Sequence, residues 1–304
     1  MNAVLLAVVA SLFWGVGTAL QKQGMAASFP KITLRNLVRQ LPVVLRTLLV
    51  NRAWALGLLG MLAGMALFGM ALGRGDITVV QPVVCLTGVV AAGVGVGFLG
   101  ERLGRMEWTG IGLILLGVIL VGVAGGSHTS TLPAPLPLAI FVVVVSALAL
   151  ASLLLRRLSL SAELTLSLAA GLIYGLANML GKVLTQRVLD EVGGSFDLDR
   201  LAVWQSLATD WPIWSILAAN VAAGVFYQTA FANGRAAVVG PVVTIISNIL
   251  PILGALALFS ERIRPLHGLG ILVVVAGTAL LALQPARDDS EGTGGALPDP
   301  APPR

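Results

Sequence analysis

The side chains able to do chemistry in this sequence are few, and most stand inside stretches otherwise built of Leu, Val, Ala and Gly. Asn178, Lys182, Tyr227, Gln228, Asn233 and Asn248 do so in the C-terminal half, and Thr18, Lys22 and Gln81 in or beside such stretches in the N-terminal half. A polar group placed in hydrocarbon is costly unless it meets a partner or a wet cavity. The plain reading is interhelical hydrogen bonding, which contributes on average about 0.6 kcal/mol per bond. As a set, these groups could equally line a polar pathway. Bond-making chemistry is not indicated. His128 falls in a loop and His267 at the first turn of a helix, no pair of carboxylates sits within a helix, and no nucleophile has an adjacent base. We therefore read no enzyme and no cofactor. Cys85 is the single cysteine, which excludes an internal disulfide and a cysteine-built metal centre.

The elements that must position these groups follow from composition. The chain of 304 residues is 57% hydrophobic and 11% charged, with mean hydropathy +0.94. Soluble domains carry roughly 25% charge. Nine stretches approach the roughly 20 apolar residues that cross a bilayer: 3–20, 53–72, 77–99, 108–123, 136–155, 164–184, 211–231, 236–259 and 266–283. The fold class is all-α, a polytopic bundle of about nine to ten transmembrane helices. Residues 285–304, rich in Pro, Gly and acids, read as a disordered tail.

An offset of 160 residues pairs Gly15 with Gly175, Lys22 with Lys182, Trp54 with Trp214, Gly64 with Gly224, Glu101 with Glu261, Arg102 with Arg262 and Gly117 with Gly277. Lys, Trp, Glu and Arg are scarce here, so their coincidence argues for duplication. Repeat one covers about 1–125, a linker helix about 136–157, and repeat two about 161–284. Four crossings return the chain to its starting side and the linker carries it across, so the repeats are inverted.

That topology requires the stretch 31–52 not to span. On a helical wheel Arg35, Arg39 and Arg46 share one face, with leucines opposite. An interfacial helix whose basic face meets anionic headgroups satisfies this pattern. A tilted span with its Arg stripe toward the bundle remains the alternative. Of the 19 Lys and Arg, thirteen then fall on one face and six on the other, which places the N-terminus outside and the C-terminus in the cytoplasm of a cell-membrane protein. The net charge of +5 is explained by these flanking residues, so no nucleic-acid partner is expected. Self-association as a homodimer is compatible with the pattern.

Glu101-Arg102 and Glu261-Arg262 close equivalent apolar runs on opposite faces. As exposed pairs they contribute only about 0 to 1 kcal/mol; the functional reading is a gate whose ion pairs break as the halves move. Gly93, Gly95 and Gly97, and likewise Gly110, Gly112 and Gly117, are spaced to let helices approach closely. The single cation deep in an apolar run, Lys182, would reach a carbonyl cluster or an anionic or zwitterionic solute.

The apolar helix entered near Pro82 and again near Pro241, closed by "FLGER" and "LFSER" and followed by "GIGLILLG" and "GLGILVVVAG", resembles the drug/metabolite transporter superfamily with its EamA-type repeats. "GVGTALQKQGM", "GLANMLGKVL" and "YQTAFANGRAAVVGP" are most similar to its NIPA-type magnesium transporter branch. The resemblance implies a secondary transporter moving a small solute by alternating access, the solute unresolved between a small metabolite and Mg2+. The residues themselves favour magnesium poorly, because it holds its waters and prefers carboxylate oxygens, and every acid lies at a helix end or beyond. A non-transporting membrane scaffold is the remaining reading.

Overall fold

The computed structural model describes residues 2–26, 50–99, 103–125, 132–154, 161–192, 201–233 and 236–282. The stretch 31–49, with Arg35, Arg39 and Arg46, lies outside the described residues, as do Glu101, Arg102, His128 and the tail 285–304. Among the described residues the protein is helical throughout, with α1 Ala3–Ala26, α2 Arg52–Arg74, α3 Ile77–Val84, α4 Leu86–Leu99, α5 Arg105–Ala124 and α6 Pro135–Leu154. The C-terminal half adds α7 Ala162–Val192, α8 Leu201–Thr209, α9 Trp211–Asn233, α10 Ala236–Leu258 and α11 Pro265–Ala282. Seven of the apolar helical stretches are long enough to cross a bilayer, and 211–227 and 265–281 are shorter apolar helices. All nine coincide with the stretches read from the sequence.

Two elements depart from the expected outline. The third stretch is divided at Cys85 into α3 and α4. Pro82, inside α3, has no N–H to give to the carbonyl of Thr78, and the Cys85 N–H turns to the Pro82 carbonyl at 3.2 Å. The second departure is α8, a short helix in the segment after α7 that hydropathy alone treats as loop.

Every residue of α3 is buried. Around it pack Leu6 and Ala10 of α1, Phe68 and Leu72 of α2, and Met179 of α7, with Phe259 just beyond α10. This short helix is the centre of the molecule. Large apolar side chains such as Leu59, Ile119, Val143 and Leu272 are exposed, as expected of surfaces that face lipid rather than water.

Close packing at glycine fixes helix directions. A Cβ on Gly110 would stand 2.9 Å from the Gly277 carbonyl oxygen, and one on Gly117 would stand 2.7 Å from that of Gly270. The contacts are reciprocal: Gly277 meets Gly110 at 2.7 Å and Gly270 meets Gly117 at 3.0 Å. Rising numbers on α5 meet falling numbers on α11, so these two helices run antiparallel. Gly112, Gly93 and Gly97 have no atom within 4 Å of such a Cβ; spacing alone does not distinguish them from the glycines at the crossing.

Contacts within the two halves also match. The Ser11 hydroxyl donates to the Val83 carbonyl at 3.3 Å, while a Cβ at Gly171 would lie 3.2 Å from the Val243 carbonyl. Gly15 abuts Val90, and Gly175 abuts Leu250. Both pairs of contacts are separated by the 160-residue offset.

Candidate functional site

Two polar centres meet on α3, one at each end. At its N-terminus the first amides of the helix have no intrahelical acceptor. The Glu261 carboxylate takes them both: the Ile77 N–H donates to Oε1 and the Thr78 N–H to Oε2, each at 2.9 Å. A carboxylate there also complements the positive end of the helix dipole. His267 Nε2 lies 2.8 Å from the Thr78 carbonyl. A carbonyl can only accept, so Nε2 carries the proton, and it supplies the donor that Pro82 cannot.

Lys182 completes this end. Its ammonium donates to the carbonyls of Leu72 at 2.7 Å and Gly75 at 2.6 Å, where α2 ends. Lys182 and His267 are fully buried and Glu261 is nearly so. The carboxylates that act electrostatically on the ammonium are Glu261 and the buried Asp76. These bonds join the C-terminal half to the end of α2 and the start of α3.

The sequence reading had Glu261-Arg262 as an exposed pair; the structure buries Glu261 on backbone amides and leaves Arg262 exposed. A carboxylate aimed at two helix-end N–H groups gains more than one held against a solvated guanidinium. Lys182 meets carbonyls, one of its two expected alternatives.

At the other end of α3 a cavity of about 380 Å³ lies midway along α1, α7 and α10. Gln81, Asn178 and Asn248, three of the expected pathway amides, line it. Thr87, Thr244 and Thr278 add hydroxyls, and Trp14, Val84, Ile114 and Leu281 provide apolar wall. Gln81 Nε2 donates to Asn248 Oδ1 at 2.9 Å, and Asn248 Nδ2 donates to the Thr244 carbonyl at 2.8 Å. Asn178 Nδ2 reaches the Ser247 carbonyl at 3.4 Å. A second cavity of about 410 Å³ is confined to α7 and α8, near Glu191 and Ser206, within the C-terminal half alone.

Other expected residues are not gathered here. Thr18 is exposed and donates to the Trp14 carbonyl of its own helix at 2.7 Å. Tyr227 stands edge-on to Tyr174, ring centroids 6.5 Å apart. The side chains of Lys22, Gln228 and Asn233 lie outside the described residues. Trp14, Thr87, Thr278 and His267 were not among the expected site residues. Pro82 was the available signal for His267, since a proline inside a buried helix leaves one carbonyl in need of a donor. Among the described residues no group of three or more His, Cys, Asp or Glu is arranged to hold a metal ion.

The described helices form a multi-pass bundle with a polar cavity lined from both of its halves. Residues 1–123 match the EamA-like transporter family. The N-terminal part of the chain is thus similar to membrane transporters of the drug/metabolite type. No curated protein and no solved structure matches the chain.

Proposed function

We propose that this protein is a secondary transporter that carries a small solute through the Gln81–Asn178–Asn248 cavity by alternating access, and that Lys182, Glu261 and His267 form its gate at one end. The reading rests foremost on the reciprocal crossing of α5 and α11. Gly110 and Gly270 are offset partners, as are Gly117 and Gly277, so equivalent helices meet antiparallel, as in an inverted duplication. Two such units can exchange shapes, closing first one end and then the other. In the alternate state Lys22 and Glu101, the offset partners of Lys182 and Glu261, would take up the corresponding roles at the opposite end.

The positive-inside count supports an orientation with the Lys182 gate on the outer face and the C-terminus in the cytoplasm. The NIPA-like motifs would make the solute magnesium, which would have to cross hydrated, on amide and carbonyl oxygens.

Single cysteines at the offset positions, Thr78→Cys and Val238→Cys, in a Cys85→Ser background test the gating. A membrane-impermeant maleimide should label the Val238→Cys chain and spare the Thr78→Cys chain. Adding Glu261→Gln should invert that preference. Labelling that never changes in opposite directions at the two positions would leave the scaffold reading in its place.

A further inference from the structure

We infer that the transported solute is an uncharged organic molecule bearing an N–H or O–H donor and an apolar face, neither a metal ion nor a zwitterion. This rests on the cavity being the solute site. None of the described residues lining the cavity carries a charge. The buried Lys182 and Glu261 are already committed, to two carbonyls and to two amides, and the buried Asp76 is not among the residues lining the cavity. An ion entering such a cavity gives up its hydration and meets no opposite charge. Mg2+ in particular would find no carboxylate on the described wall.

The amide relay sets which group the solute must bring. Because the Thr244 carbonyl only accepts, Asn248 must turn Nδ2 to it and Oδ1 toward Gln81. Gln81 must then offer Nε2 to Asn248, which turns its own Oε1 away from the pair. That oxygen is buried and has no hydrogen-bond partner among the described residues, as is also true of Thr87 Oγ1. An acceptor buried in this way calls for a donor. The Trp14 indole N–H is taken by the Met61 carbonyl at 2.9 Å, so this residue offers the cavity ring surface rather than a hydrogen bond. A volume of about 380 Å³ accommodates a compact molecule at the small end of the usual range for ligand sites.

The experiment uses liposomes containing the purified full chain. They are offered mixtures of uncharged nucleobases, nucleosides, amides and polyols; zwitterionic amino acids; carboxylates and nucleotides; quaternary amines; and Mg2+. Lumenal contents are read by mass spectrometry, and Mg2+ by an entrapped indicator. Enrichment over protein-free liposomes is expected in the uncharged mixture alone. Gln81→Glu should reduce that uptake about tenfold or more, and Thr87→Val, which keeps the side-chain shape, by a smaller factor, with melting temperatures near wild type. Enrichment of any charged or zwitterionic class overturns the inference and leaves transport standing. Unchanged uptake of the uncharged solute in both variants also overturns it. No enrichment of any class overturns the transporter reading itself, and this inference with it.

Discussion

The two halves of the molecule agree in packing and differ in chemistry. Ser11 against Val83 and Gly171 against Val243 occupy one place in each half, and so do Gly15 against Val90 and Gly175 against Leu250. Yet Asn178 stands where the first half has Thr18, which bonds only its own helix, and Asn248 stands where the first half has Gly88. Helix approach depends on small residues at fixed depth, and a Cβ added at Gly15, Gly171 or Gly175 meets the facing helix within 3 Å. The polar positions are free of that constraint, and one half has come to supply most of the amides around a cavity to which the other contributes Gln81 and the broken helix α3. If the proposed solute site is right, the positions at which the halves differ are those where function, rather than folding, sets the residue.

The sharpest way to break this contrast is Lys182→Met. Removing the ammonium leaves two buried carbonyls and two carboxylates without their cation, a change of the kind that costs about 3–5 kcal/mol. Thermal melting in detergent should fall accordingly. If it does not, the Lys182 contacts with the Leu72 and Gly75 carbonyls are not formed in the resting protein.

Gly117→Val comes next. Its Cβ would meet the Gly270 backbone at 2.7 Å, and overpacking of this sort costs about 1–3 kcal/mol. Gly112→Val, where a Cβ meets nothing, is the matched control and should melt near wild type. Equal effects at both positions would remove the crossing as the point where the halves are fixed.

His267→Ala should cost about 1–2 kcal/mol by orphaning the Thr78 carbonyl. Pro82→Ala in the same chain restores an N–H four residues beyond that carbonyl and should recover most of the loss, a coupling measurable by a double-mutant cycle. Additive losses would show that His267 does not stand in for the missing backbone donor. The smallest effect is expected for Thr18→Ala, within about 0.5 kcal/mol of wild type by melting and without effect on uptake, whereas Asn178→Ala at the offset position should impair uptake.

Much of the frame was legible in the sequence, because a bilayer imposes helix length. The nine apolar stretches became helices, and two pairs of contacts, Ser11–Val83 with Gly171–Val243 and Gly15–Val90 with Gly175–Leu250, stand 160 residues apart. What the sequence did not disclose is where long-range partners lie. Glu261 looked like a solvated turn acid because the amides that bind it are 183 and 184 residues away. His267 was passed over although Pro82 had already announced a vacant carbonyl. The amides of the cavity were found by their rarity in apolar surroundings, while Thr87 and Thr278, common among small residues in such helices, gave no comparable signal.

The Pro82–His267 substitution makes the secondary structure of α3 dependent on a neighbour. Were α11 to withdraw, as the proposed alternation requires, the Thr78 carbonyl would lose its His267 donor. Under the proposed alternation, opening this end of the molecule would thus appear in vibrational spectra of an isotopically marked Thr78 carbonyl as a shift of its stretching band.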